Sequence, residues 1–154
     1  MLASSMTEPA PSPFTDPETL PRWEAIAADA IPAAVRAIID GQDRARDALE
    51  RAATPTWEGL AAPLSAAAEP LSYAWNVVHH LLSVKNSPAL REAQEAVQPE
   101  VVAASLRLAQ SQALYDAFKA LRDGAGAALD PAQRRIVETA IREAELAGVG
   151  LAGA

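Results

Sequence analysis

His79 and His80 are the side chains best suited to metal or acid–base chemistry, and the sequence holds no other histidine. A helical zinc site needs two histidines four apart with a glutamate between them, so that both imidazoles reach one ion. Adjacent residues on a helix diverge by about 100°, so this pair cannot converge. Cysteine is absent, which removes disulfides, thiolate metal sites and a thiol nucleophile. No serine stands in a Gly-x-Ser-x-Gly elbow. Carboxylates such as Glu92 and Glu95, or Glu138 and Glu145 beside Arg142, fall on helix faces where they stay charged and solvated. Gly124-Ala125-Gly126 follows a helix and lacks the third glycine of a dinucleotide loop, so it reads as a turn. The sequence therefore predicts no catalytic residue and no metal ligand.

What remains is a polar strip. His79 lies one turn after Trp75 at the edge of an apolar stripe, the setting of a partly buried, hydrogen-bonded histidine. His80 falls on the opposite face with Tyr73 and Asn76. That strip is open to two readings, a solvated face or a surface lining a channel or domain contact. Trp57 and Trp75 fall on the apolar stripe and are expected in the core, whereas Trp23 stands outside any stripe and is expected to anchor the segment before it.

The elements that carry these residues are helices. Half of the 154 residues are apolar and only 5% are aromatic. Alanine, the best helix former, dominates over the β-branched residues that build sheets. A chain of this length buries roughly 70% of its unfolded surface in one domain. Residues 1–21 carry Pro9, Pro11, Pro13, Pro17 and Pro21 and read as a leader, flexible or strapped, with Phe14 and Leu20 able to pin it. A first helix is predicted over Pro32–Ala52, with Val35, Ile38, Ile39, Ala45, Ala48 and Leu49 inward and Arg44, Arg46, Asp47 and Glu50 in water. A second covers Thr56 to Val84, marked by Trp57, Leu60, Leu64, Leu71, Trp75, Val78 and Leu82, with a kink or break near Pro70. A third runs from Pro88 to Arg122 and is bent at Pro99. A fourth starts at a capping box, Asp130 to Gln133, and carries Ile136, Val137, Ala140, Ile141 and Ala144 inward. The prediction is an all-α antiparallel helical bundle or hairpin array of about four long, partly kinked helices behind the Pro-rich leader.

One junction is written with unusual clarity. Lys85 and Asn86 suit a helix C-terminus, Ser87 can cap the next helix, and Pro88 fits its first turn. The formal charge is −7, and the 13 Lys and Arg are scattered among acidic neighbours, so no nucleic-acid surface is expected. The first basic residue is Arg22, which leaves no secretory signal, and Leu71 to Val84 is too short to span a bilayer. A cytoplasmic protein without membrane contact is expected.

The wording of His80-Leu81 with Ser83-Val84-Lys85-Asn86-Ser87-Pro88 resembles the N-terminal region of the oligopeptidase A branch of the thimet-oligopeptidase-like zinc metallopeptidases. Other elements follow in the same order: Pro13-Phe14, Ile31-Pro32-Ala33-Ala34-Val35, Thr56-Trp57-Glu58, Pro63-Leu64, Leu90-Arg91-Glu92-Ala93, Leu114-Tyr115, Leu121-Arg122-Asp123-Gly124, Arg142-Glu143 and Gly148-Val149-Gly150-Leu151. Ala144 departs from that pattern, which tends to hold a bulky aromatic there. The resemblance implies a long, all-helical zinc endopeptidase of short peptides, in which residues 22–151 form part of the lobe walling a substrate channel. His-Glu-x-x-His is absent here, so this chain alone is expected to be inactive and to bind no zinc, which the full-length enzyme would hold elsewhere. The implied partners are the missing catalytic lobe and, in the whole enzyme, short peptides, with self-association through exposed apolar surface. Residues 152–154 are expected to be a truncation point, whether of a fragment, a shortened reading frame or a genuine short protein. The alternative is a stand-alone helical interaction or adaptor protein without peptidase activity.

Overall fold

A computed structural model describes Phe14 and residues 20–150. Most of the expected leader, and the end expected at 152–154, lie outside the described residues. Two short 3₁₀ turns, Trp23–Ala25 and Ala28–Ala30, lead into α1, Ile31–Ala52, whose first turn accommodates Pro32. Its inward stripe is Ile31, Val35, Ile39 and Gln42, at steps of three and four. Two sequence expectations change here. Ala48 is exposed. Arg46, expected in water, has a side chain only 14% exposed, because Asp43, Asp47 and Glu50 surround its guanidinium.

The corner after α1 is tight. Thr56 Oγ1 accepts the Gly59 N–H at 3.0 Å, and Trp57–Ala61 forms a single π turn before α2, Ala62–Lys85. A Cβ on Gly59 would meet Thr54 Oγ1 at 1.8 Å and the Thr54 carbonyl oxygen at 2.9 Å, so only glycine fits. Pro63 falls in the first turn of α2, where a missing N–H costs nothing. Pro70 lies inside α2, and of the kink or break expected there the break does not occur, because the helix runs on through it. Leu71, Ala74, Val77 and Val78 are all buried just beyond it. An interior proline costs about 3 kcal/mol, and full burial of a few aliphatic side chains at roughly 1.5–3 kcal/mol each offsets that.

Ser87 caps α3, Pro88–Ala109, by accepting the Leu90 N–H at 3.2 Å. This helix is also continuous through its interior proline, Pro99. It ends earlier than predicted, so the stretch expected as one helix to Arg122 is two. The break falls at Gln110 and Ser111, and Ser111 caps α4, Gln112–Asp123. A 3₁₀ turn, Ala125–Ala128, then leads to the predicted capping box, in which Asp130 and Gln133 exchange bonds at the start of α5, Pro131–Leu146. The described residues thus hold five α-helices in an all-α antiparallel array.

The buried side chains form two clusters. The first joins Phe14, Ile31, Val35 and Ile39 to Leu71–Leu81 of α2 and Leu90–Ala104 of α3. The second joins Leu60 and Ala61 of the π turn to Leu114, Tyr115, Phe118 and Leu121 of α4, Val137, Ile141 and Ala144 of α5, and Val149. Phe14 is 1% exposed and Leu20 is 88% exposed, so only one of the two expected anchors is buried. Within the first cluster α1 lies against both α2 and α3, and α4 and α5 pair in the second. Arg36 Nη2 meets Glu100 at 2.7 Å and Arg107 Nη2 meets Asp43 at 2.6 Å, tying α1 to α3 at two levels.

Candidate functional site

The residues singled out by type do not share one place. His79 and His80 are adjacent and exposed on α2, and each ring faces a different indole. The His79 ring centroid lies 4.9 Å from Trp75, and that of His80 lies 5.1 Å from Trp23. His79 is therefore not the partly buried histidine expected. Val78 takes the fully buried position, and one further step of the helix carries residue 79 outward. Trp23 meets the bundle through His80, while Trp57 and Trp75 are half-buried rather than fully enclosed. Among the described residues no group of three or more His, Cys, Asp or Glu side chains could hold a metal ion. Two diverging imidazoles, each against an indole, do not fit zinc.

The junction residues serve the helices. Lys85 closes α2, the Asn86 side-chain oxygen accepts from the Arg91 guanidinium, and Ser87 and Pro88 begin α3. Their described bonds stay within the corner.

The polar strip divides. Tyr73 and Asn76 border a hollow along the outer side of α2, whereas His80 turns to Trp23. Through Ala68, Ser72 and Asn76 that hollow adjoins a cleft of about 450 Å³. Leu71 and Trp75 form its α2 side, Tyr115 and Phe118 its floor, and Ala140 and Ala144 its α5 side. Ala144 is buried at the edge of this space, and its small side chain leaves the cleft open. The polar lining includes Gln42, Ser105, Ser111 and Glu143. Gln42 is only 6% exposed, an amide held at the seam between the clusters.

Polar ties fix that seam. Ser111 Oγ accepts the Leu114 N–H at 3.3 Å and donates to Glu50 Oε1 at 2.7 Å, so the cap of α4 is tied to α1. Gln110 Nε2 donates to the Ala147 carbonyl at 3.2 Å. Tyr115 Oη donates to Glu145 at 3.0 Å, so Glu145 is a partner of the second cluster's edge and not simply a solvated carboxylate. Burial opposes the charge on Arg46 most strongly, yet the bond to Asp47 and the fields of Asp43, Asp47 and Glu50 together hold its pKa above the ordinary value. These groups position helices; none stands as a base beside a nucleophile.

Sequence reasoning missed the trough because it merged two stripes of α5. Val137, Ile141 and Ala144 are buried against α4, while Ile136 and Ala140, one step back, line the outer hollow. The signal was present as the four-residue step from Ala132 to Ile136 to Ala140. Among the described residues no helix is long and apolar enough to cross a membrane.

The family described as the neurolysin/thimet oligopeptidase N-terminal domain matches residues 35–154. The probable cytosolic oligopeptidase A of Arabidopsis thaliana is 39% identical over 132 residues, covering 85% of this chain and 19% of the relative. The organellar (chloroplastic/mitochondrial) oligopeptidase A of the same plant is 36% identical over 141 residues, covering 91% and 18%. Oligopeptidase A of Escherichia coli is 37% identical over 147 residues, covering 95% and 21%. The chain spans about a fifth of the length of these relatives.

Proposed function

This chain belongs to the family of neurolysin/thimet oligopeptidase N-terminal domains, and on that premise we propose that it is the non-catalytic helical portion of an oligopeptidase A-like metalloendopeptidase, forming part of the wall of its peptide-holding channel. In this reading residues 22–151 constitute the lobe, and Phe14 packs into its first cluster. The observation that carries the reading is that nearly the whole chain matches about a fifth of each relative. The chemistry agrees with it. A wall needs shape and polarity, not nucleophiles, and the described residues supply helices, an apolar cleft and an edge formed by half-buried Tyr73 and exposed Asn76.

In this reading the hydrolytic metal, zinc, belongs to the polypeptide outside the matched fifth, as do the groups that act on the peptide bond. The lobe limits substrates by size. The relatives' names include both cytosolic and organellar proteins, and we place this one in the cytoplasm.

The test is a hybrid in which this chain replaces the matched part of the Escherichia coli oligopeptidase A. Turnover of a quenched fluorescent peptide by the hybrid, with none by the 154-residue chain alone, is expected. A folded hybrid without activity defeats the reading and leaves the stand-alone interaction protein. Turnover or stoichiometric zinc uptake by the isolated chain defeats it from the other side.

A further inference from the structure

The cleft between α2 and α5 is the middle of a longer trough. It shares Ala68, Ser72 and Asn76 with a hollow toward Tyr73, and Ala140 and Glu143 with another toward Ile136. Both walls are second faces of helices that are already packed elsewhere. α2 buries Leu71, Ala74, Val78 and Leu81 in the first cluster, and turns Ala68, Ser72 and Asn76 outward along the trough. α5 buries Val137, Ile141 and Ala144, and turns Ile136 and Ala140 outward, with Ile136 47% exposed.

Small residues of both helices, Ala68 and Ser72 of α2 and Ala140 of α5, line the one cleft, and small side chains are what let a further helix pack at the usual interaxial distance of about 8–10 Å. From Leu64 to Asn76 the α2 wall runs about 18 Å at ~1.5 Å per residue, or a little over three turns of an occupant. An amphipathic helix laid in such a groove presents apolar anchors at three- and four-residue steps. The charged residues lining the three hollows are Glu69, Glu143 and Arg135, two carboxylates against one guanidinium, in a chain of charge −7. That balance favours an occupant with Lys or Arg beside its apolar stripe. The groove on the outer face of α3, at Pro99, Val102 and Leu106, also lies on a single helix but, unlike the two end hollows, shares no lining residue with the cleft and offers no such seat.

We propose that this trough seats an amphipathic helix with basic flanks, supplied by the part of an oligopeptidase A-like polypeptide that lies outside the matched fifth. The inference rests on the reading of this chain as the N-terminal portion of such a peptidase. The relatives carry about four fifths of their length beyond the matched segment, enough to furnish the helix. The seat holds a structural element of the enzyme and not its substrate.

The experiment tiles the unmatched length of the Escherichia coli oligopeptidase A with overlapping, fluorescently labelled peptides of roughly 18 residues, five helical turns. Each is titrated with the 154-residue chain and read by anisotropy. At least one peptide with an apolar stripe and basic flanks binds saturably. Ser72→Arg, an exposed substitution that plugs the trough with a cation, weakens it about tenfold or more, while Leu106→Arg on α3 stays within about twofold. If circular dichroism shows that Ser72→Arg has lost helicity, Glu143→Lys on the opposite wall takes its place. Absence of saturable binding, binding indifferent to the trough variants, or equal loss in Leu106→Arg overturns the proposal. Binding is read without hydrolysis, so an inactive hybrid leaves this result standing, whereas an active hybrid with silent trough variants defeats only the seat.

Discussion

The two clusters of this molecule solve the same packing problem unequally. The first closes three long helices around aliphatic side chains, with Val35, Ala74, Val78, Val97 and Ala104 fully enclosed. The second rests on two shorter helices and a π turn, and uses Tyr115 and Phe118 to fill what alanine and valine fill elsewhere. α1 is flanked on two sides, whereas α5 is supported chiefly by α4. The difference teaches where a surface stays available. The closed half keeps an outward stripe on α2 and the open half one on α5, so the trough appears where the two meet.

The sharpest way to break this comparison is a matched pair of deletions. Leu121→Ala in the second cluster and Leu81→Ala in the first should each cost about 3 kcal/mol in chemical denaturation. In hydrogen exchange Leu121→Ala should strip protection from α4 and α5 while α1–α3 stay protected, whereas Leu81→Ala should weaken the whole chain. Simultaneous loss in both variants would mean that the halves are one cooperative unit.

A smaller effect sharpens the seam. Ser111→Ala removes the cap of α4 and its tie to Glu50, and should cost about 1–2 kcal/mol, with the added exchange confined to the first turn of α4. The smallest effect concerns the closed half. The Arg36 hydrogen bond holds the Glu100 carboxyl below its ordinary value of 4.5. The contribution of that pair is complete above the ordinary value and disappears as pH falls through the lower folded one. Arg36→Gln should therefore flatten the acid limb of melting temperature against pH, slightly, because both partners are exposed.

Local signals in the sequence carried the helix starts. Pro32, Ser87-Pro88 and Asp130 with Gln133 each declare a boundary through chemistry that needs only neighbouring residues, and each falls where the structure begins a helix or its cap. The break at Gln110 and Ser111 was illegible for the opposite reason. No glycine or proline marks it, and the cap gains its second bond from Glu50 on α1, far away in the sequence. Pro70 leaves α2 unbroken because its cost is local while the compensating burial is spread over two other helices. For the candidate site, Asn76 and Tyr73 were visible as an outward strip, but the facing wall on α5 comes from a helix whose two stripes look like one until α4 takes its share.

The corner at Gly59 reaches further than its size suggests. Leu60 and Ala61, which follow it directly, are the only buried foothold of the π turn in the second cluster. The same strand of backbone runs on into α2 and the first. A single added methyl would push Thr54 and Thr56 aside, so a vacant hydrogen-sized position is what lets one short corner feed side chains to both halves of the molecule.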